Sequence, residues 1–171
     1  MTANQLPTIE YPEFYKTYIQ TLKHENLLED LEISLHEFIK FVQNIPLDKF
    51  DYRYEAEKWT IKDIIQHLID AERIFAYRAL RTSRTDQTPL ASFDENIYAE
   101  NTNANHRSIQ DLLTEMAVVR QATLSLFKSF TQEQQLLSGN VLGGTISVRA
   151  IGFIVIGHQK HHQKIFQERY L

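Results

Sequence analysis

The sequence of 171 residues predicts an all-α protein, a bundle of four long helices preceded by a short additional helix. Three observations support this fold class. Apolar residues recur at helical spacing through four long segments, breaks rich in proline, glycine or polar residues separate these segments, and no two segments alternate as paired strands would. Amphipathic helices of this kind are typical of a helix bundle. We expect a single domain over residues 1–171, with its core in about residues 24–171.

The helices of the first half are predicted from apolar spacing and from their ends. A short amphipathic helix is expected in FYKTYIQTL, and a long one over about residues 28–45, which ends just before a proline. The next long helix begins after Thr60, whose hydroxyl is a good N-cap, with Asp63 in the reciprocal position of a capping box. It is expected to extend to about Arg84.

Two further long helices are predicted in the second half. The first starts after Ser108, which can act as its N-cap, and is ended by the glycine-containing segment LLSGNVLGGT. The last opens at Thr145 or Ser147 and continues to Glu168. We predict no strands in either half.

Composition and charge exclude several classes of function. The formal charge of −4 and the isoelectric point near 6 give no basic surface for nucleic acid or an anionic membrane. The absence of cysteine excludes disulfides, thiolate metal sites and a cysteine nucleophile. The N-terminal stretch lacks the features of a signal peptide, and the longest apolar run, AIGFIVIG, is too short to span a bilayer. We therefore expect a cytoplasmic protein without a membrane partner.

The histidine-rich segment GHQKHH, residues 157–162, is a candidate metal site. His158 and His162 are four residues apart, so on a helix they project about 40° from each other and share the arc of the apolar stripe. This spacing allows two imidazoles to bind one ion, although an isolated pair more often consists of two unrelated side chains. His161 falls at the edge of the arc.

A third ligand would have to come from another helix, and His67 is the candidate. It borders the inward face of the helix that follows Thr60, where a lone histidine is usually a core residue bonded to a carbonyl. Three histidines from two facing helices form an arrangement that bundles use for core metal sites. Asp70, one turn later, could accept the other imidazole N–H of His67, or it could be a solvated acid.

Two motifs carry a resemblance to a known family. The pairing of WTIKDIIQHLIDAERIFAYRALR with a terminal GHQKHHQKIFQERY resembles the DinB-like superfamily, and TPLASFDENIY and SVRAIGFIVIGH resemble one branch of it. The resemblance implies a four-helix bundle of the DinB/YfiT type, often dimeric, with one divalent ion per chain. It implies that His67, His158 and His162 hold the ion, with His161 in a variable place. Nickel or zinc is the expected metal, with manganese and iron as further candidates.

The resemblance also implies two kinds of activity. YfiT-type members are described as metal-dependent hydrolases, and other relatives include low-molecular-weight thiol transferases and a thiol-dependent isomerase. We therefore expect a metal-dependent hydrolase or a low-molecular-weight-thiol S-transferase, whose ion activates water or a thiol against a small-molecule substrate. The alternative is a non-enzymatic, stress-related binding or structural bundle whose metal site is vestigial or only stabilises the fold.

Four other residues are candidates for roles near the ion. Glu72 could support the ligands indirectly or form a buried pair with Arg73 or Arg78. Arg78 could line a pocket and bind an anionic substrate group, or it could brace the helix end. Asp94 and Glu95 lie in the long polar loop of residues 85–107 and could provide a fourth ligand or a general base, although such carboxylates are mostly solvated.

The segment AIGFIVIG bears on assembly because it is apolar on every side. Phe153 and Ile156 project away from His158, and a helix that is apolar all round must be covered all round. Either the segment FYKTYIQTL or a partner subunit could cover this side, and we expect a homodimer.

Overall fold

The computed structural model describes residues 2–171, in which seven α-helices and one β-hairpin follow one another. The helices are α1 (Lys16–Gln20), α2 (Leu27–Gln43), α3 (Ile61–Ser83), α4 (Glu95–Glu100), α5 (Ile109–Lys128), α6 (Gln132–Leu136) and α7 (Val148–Ile165). The strands β1 (Ser138–Val141) and β2 (Gly144–Ser147) lie between α6 and α7, and a π-helical turn, Phe166–Tyr170, ends the chain. Within residues 2–171, none of these helices is both long and apolar enough to cross a membrane.

The four long helices form the bundle that the sequence predicted. Helix α3 packs on α5 and α7, and α2 packs on the same two helices. The short N-terminal helix is also present, as α1. The prediction of a mostly helical four-helix bundle with a short additional helix is confirmed.

The helix ends follow the caps read from the sequence. The Thr60 hydroxyl accepts the backbone N–H of Asp63, and the Asp63 carboxylate accepts the N–H of Thr60, both at 3.0 Å. Ser108 caps α5 in the same way, by accepting the N–H of Asp111 at 3.1 Å. Of the two residues considered for the start of α7, Ser147 is the cap.

The prediction of no strands was wrong, because β1 and β2 form an antiparallel hairpin. Its two-residue turn consists of Leu142 and Gly143, with φ of 52° and 72°. Such positive φ values are required by the tight hairpin turns that suit the twist of the strands, and they are uncommon for a residue like leucine. The hairpin was missed because its strands have only four residues each and contain glycine, which favours a loop interpretation.

The segment AIGFIVIG of α7 is covered on all sides by its own chain. Phe153 and Ile156 are fully buried, and α1, α2 and α6 all pack on α7 in addition to α3. At Gly157 the backbone of α1 comes so close that an added Cβ would lie 2.3 Å from the Tyr18 carbonyl oxygen. The N-terminal segment therefore covers this part of α7, and the apolar face gives no support for a dimer. The homodimer stays a prediction.

Replacement of Gly157 by alanine is expected to push α1 away from α7. The atom in the way is a backbone oxygen, which cannot move without its helix. Overpacking of this kind costs about 1–3 kcal/mol, and we expect a loss of that size in the free energy of unfolding measured with urea.

Lys164→Ala, at an exposed position of the same helix, provides the control. It should change the free energy of unfolding by no more than about 0.5 kcal/mol. A Gly157→Ala protein as stable as this control would contradict the close packing of α1 on α7.

Candidate metal centre

Three histidine side chains meet where α3 packs on α7. The Nε2 atom of His158 lies 3.0 Å from Nε2 of His67 and 3.1 Å from Nε2 of His162. Within residues 2–171, these three are the group of possible metal ligands that the structure brings together, with all three ligand atoms within 4.8 Å of one another. The structure thus assembles the set of histidines that the sequence suggested.

The local helical geometry explains this convergence. His158 and His162 are one turn apart on α7, so both imidazoles point to the same side, toward α3. His67 lies on the face of α3 that packs on α7. The centroids of the His67 and Trp59 rings are 5.0 Å apart. On the far side, the ring of Tyr18 from α1 lies 5.0 Å from that of His158. Aromatic rings thus hold the imidazoles in place.

Burial keeps the three histidines neutral. It lowers the pKa of His67 to about 4, and it lowers the pKa of His158 and His162 well below the usual value. The neighbouring imidazoles lower the pKa of His158 and His162 further, because each would repel a second positive charge. At neutral pH each imidazole is therefore in the form that can bind a cation without first losing a proton.

The geometry of these donors fits a divalent ion. Ligand nitrogens at 2.0–2.1 Å in a tetrahedral arrangement lie roughly 3.3 Å apart, close to the two observed Nε2 separations. His158 Nε2 lies within hydrogen-bond range of both other nitrogens. A neutral ring nitrogen carries either one N–H or one lone pair, so His158 Nε2 cannot form a full hydrogen bond with both of them. A shared cation would make use of all three lone pairs.

The histidines open onto a cavity of about 330 Å³. Six aromatic residues line it, and the tip of the β-hairpin also contributes to it at Leu142. The aromatic residues are Phe14, Tyr15, Tyr18, Trp59, Phe75 and Phe93. Arg78, Ser92, Glu95 and His161 add polar groups. The cavity has the size and composition of a site for a small, largely apolar molecule.

Asp70 does not support His67 as predicted. Its Oδ1 accepts a hydrogen bond from Gln66 Nε2 at 3.0 Å and lies 3.6 Å from Nη1 of Arg73. The side chain is therefore directed along the outer face of α3, one turn from the imidazole but not toward it. Partial burial raises the pKa of Asp70.

Glu72 forms a buried ion pair, but with a partner that the sequence did not suggest. Both its carboxylate oxygens accept from Arg120 of α5, at 2.8 and 2.9 Å, so Arg73 and Arg78 are not its partners. The pairing was missed because the two residues are 48 positions apart and nothing in the local pattern links them. Glu72 is thus a structural residue rather than a direct partner of a ligand.

The remaining contacts of Arg120 connect this ion pair to the histidines. The guanidinium donates to the Leu31 carbonyl at 2.8 Å, to Ser34 Oγ at 3.1 Å and to Gln159 Oε1 at 3.0 Å. Gln159 directly follows His158 on α7. The hydrogen-bond network therefore fixes the part of the α7 backbone that carries His158.

The other three candidates, Asp94, Glu95 and Arg78, differ in their position relative to the cavity. Asp94 caps α4, where one carboxylate oxygen accepts the N–H groups of Asn96 and Ile97 at 2.9 and 3.1 Å. Glu95 borders the cavity but is exposed, and in residues 2–171 neither carboxylate belongs to the histidine cluster. The predicted fourth ligand is therefore not found in Asp94 or Glu95. Arg78 does line the cavity.

Tyr18 is a site residue that the sequence analysis did not single out. Its ring lies 5.0 Å from the ring of His158 and 5.2 Å from that of His161. Burial raises the pKa of Tyr18 to about 12, so its hydroxyl carries its proton at neutral pH. The aromatic pattern of FYKTYIQTL was the available signal, but it indicated only that the segment packs on the bundle.

Comparison with known proteins places the chain in a family. A model of the DinB superfamily matches residues 30–166. The chain belongs to this superfamily. The resemblance found in the two histidine motifs is thereby confirmed, although no curated protein matches the sequence significantly.

Solved structures of similar fold agree with this assignment. YfiT from Bacillus subtilis, described as a probable metal-dependent hydrolase with an unusual four-helix bundle topology, has a TM-score of 0.76 and 14% identity, over 95% of this chain and 90% of its own. A mycothiol-dependent maleylpyruvate isomerase has a TM-score of 0.65 and 11% identity, over 96% of this chain but only 62% of its own. A Streptococcus pneumoniae protein matches with a TM-score of 0.62 and 15% identity, over 93% of this chain and 100% of its own. These likenesses establish the fold.

Proposed function

We propose that this DinB-superfamily protein is a metal-dependent enzyme that binds one divalent ion through His67, His158 and His162. The observation that carries the proposal is the convergence of three neutral ring nitrogens on the wall of a cavity. The similarity to YfiT, a probable metal-dependent hydrolase, supports it. The substrate is a small molecule that occupies the cavity.

The type of ligand determines the chemistry of the site. Three neutral histidines suit zinc or nickel, and less typically iron or manganese. When bound there, such an ion supplies a full positive charge and an open coordination position, which lowers the pKa of a water or thiol held in that position. A site with three protein ligands is typical of catalytic rather than structural zinc.

The surrounding residues shape the space beside the ion. Aromatic side chains line the cavity next to the histidines, and the burial of His158 and His162 keeps these ligands away from bulk water, which strengthens electrostatic interactions there. The protonated Tyr18, next to His158, lines the cavity and provides a hydrogen-bond donor there. His161, beside Tyr18 but outside the ligand cluster, is half-buried and lines the same cavity.

Hydrolysis is the first candidate reaction, and transfer of a low-molecular-weight thiol is the second. One observation bears on the choice between them: Glu95, the carboxylate that lines the cavity, is exposed and lies outside the histidine cluster. Water must have its pKa lowered from 15.7 to about 7 to act as a nucleophile at neutral pH, whereas a thiol starts at about 8.5. A thiol therefore depends less on a base. Similarity to an enzyme described as mycothiol-dependent agrees with this candidate.

Alanine substitution of each ligand tests the metal site. We expect about one zinc or nickel ion per wild-type chain by elemental analysis after gel filtration, and loss of most bound metal in His67→Ala, His158→Ala and His162→Ala. His161→Ala is the matched control, because it removes a neighbouring histidine of the same helix that lies outside the cluster. This control should retain the ion.

The same proteins provide a stability measurement. With metal at a hundredfold excess over its dissociation constant, the wild type should gain about 2.7 kcal/mol in its free energy of unfolding, and the His67→Ala protein should not. Full occupancy in His67→Ala would show that the three-histidine site is wrong.

A turnover assay separates the candidate activities. Zinc- and nickel-loaded protein would be incubated with activated esters and amides, and with aryl halides together with a panel of low-molecular-weight thiols. We expect products at rates above those of the His67→Ala protein, as the thioether if a thiol is the nucleophile and as the free acid if water is. Wild-type protein that binds metal but shows no more turnover than His67→Ala in either assay would favour the non-enzymatic bundle.

A further inference from the structure

Arg78 is a buried cation that has no acidic partner. Its side chain is 2% exposed, on the inner face of α3. In residues 2–171, no carboxylate oxygen lies within 4.0 Å of its guanidinium. The other deeply buried arginine, Arg120, is by contrast paired with Glu72 through two hydrogen bonds. A buried charge without a counter-ion is costly, so arginines in this position usually have one.

The hydrogen bonds of Arg78 leave part of its guanidinium unused. Nη1 donates to the Tyr15 hydroxyl at 3.3 Å, and Nη2 donates to the Ala91 carbonyl at 2.6 Å. Nε is buried and has no hydrogen-bond partner. A guanidinium carries five N–H groups, so two neutral acceptors satisfy neither its donors nor its charge.

The cavity of the candidate metal centre connects Arg78 with the histidines. Arg78 follows His67 by 11 residues, which is close to three turns, so the two share one face of α3. At a rise of 1.5 Å per residue, their Cα atoms lie roughly 16 Å apart along the helix. Phe75, one turn before Arg78, and Phe93 line the cavity with them. The cavity thus has a group of possible metal ligands, an apolar wall and an unpaired cation.

We propose that Arg78 binds a carboxylate at the end of the ligand opposite its reacting atom, so that the site selects elongated molecules with an aryl or other apolar body. The planar fork of arginine matches a carboxylate in two parallel hydrogen bonds. Glu95, the acid that borders the cavity, is exposed, so water screens its repulsion of the incoming anion. The identity of this ligand as the substrate rests on the proposed function, but the binding of the carboxylate does not.

Bracing of the loop is the competing explanation for Arg78, because it holds the Ala91 carbonyl. Arg81, one turn further along α3, braces the same loop. It donates from Nε to the Asp86 carboxylate at 2.7 Å and from Nη2 to the Thr88 carbonyl at 2.8 Å, and it does not line the cavity. Arg81→Gln therefore reproduces the loss of a loop brace without touching the cavity.

The test is the binding of aryl carboxylates and their amides to the full chain. Phenylacetate, its longer homologues up to 5-phenylvalerate and the matching neutral amides would be titrated by calorimetry, with metal-loaded and with chelated protein. A charged hydrogen-bonded contact of this kind corresponds to at least about a tenfold preference for an acid over its amide. We expect this preference in the wild type and in Arg81→Gln, and its loss in Arg78→Gln.

Three results would overturn the proposal: equal binding of every acid and its amide by the chelated wild type, an unchanged preference in Arg78→Gln, or a preference lost equally in Arg81→Gln. Melting temperatures measured alongside show whether each variant is folded, and Arg78→Lys, which keeps the charge, should retain part of the preference. If Arg78→Gln does not fold, the Arg78→Lys protein decides, since an unchanged preference there would contradict recognition by the planar guanidinium.

The outcomes also separate this proposal from the proposed function. A preference for acids in a protein that binds no metal would support carboxylate binding by Arg78 and contradict the proposed metal-dependent enzyme. Metal binding without a preference for acids would contradict the role of Arg78 and leave the proposed metal site intact.

Discussion

A single guanidinium connects all four long helices, and the geometry of the histidine site depends on it. Arg120 extends from α5 to a carboxylate of α3, to a carbonyl and a hydroxyl of α2, and to the Gln159 amide of α7. Its side chain is fully buried, so it has no access to water as an alternative partner. Removal of one member of such a pair typically costs about 3–5 kcal/mol, because the other charge stays buried alone. The observed alignment of the four helices gives Arg120 a partner on each of the other three.

That alignment sets the distance between the two helices that carry the histidines. Glu72 lies five residues after His67 on α3, and Gln159 lies next to His158 on α7. Arg120 binds both Glu72 and Gln159, and it therefore fixes the register of α3 against α7. In this register the Nε2 atoms of His67 and His158 are 3.0 Å apart. A shift of one residue along either helix would separate the imidazoles. The polar core and the candidate metal site are therefore parts of one arrangement.

The sequence predicted the features that depend on local patterns. Helix boundaries follow from apolar spacing and from caps such as Thr60, and the inward direction of His158 and His162 follows from their spacing on one helix. The meeting of His67 with the histidines of α7 was anticipated through the family resemblance, but other contacts between distant segments were beyond this reasoning. The pairing of Glu72 with Arg120 depends on which helices become neighbours, and the capping role of Asp94 depends on a six-residue helix inside a polar loop. The β-hairpin was missed for a related reason, since its short strands are stabilised by each other and by packing on the bundle.

The central claim, that three histidines hold one divalent ion, is tested most directly by X-ray absorption spectroscopy of the zinc-loaded wild-type protein. The arrangement of the ring nitrogens predicts three imidazole nitrogens at about 2.0–2.1 Å from the metal, with their outer-shell scattering, and one further light ligand. A spectrum with only oxygen ligands, or with a single imidazole, would contradict it. Zinc would then be bound elsewhere, and the three histidines would be core residues of the bundle.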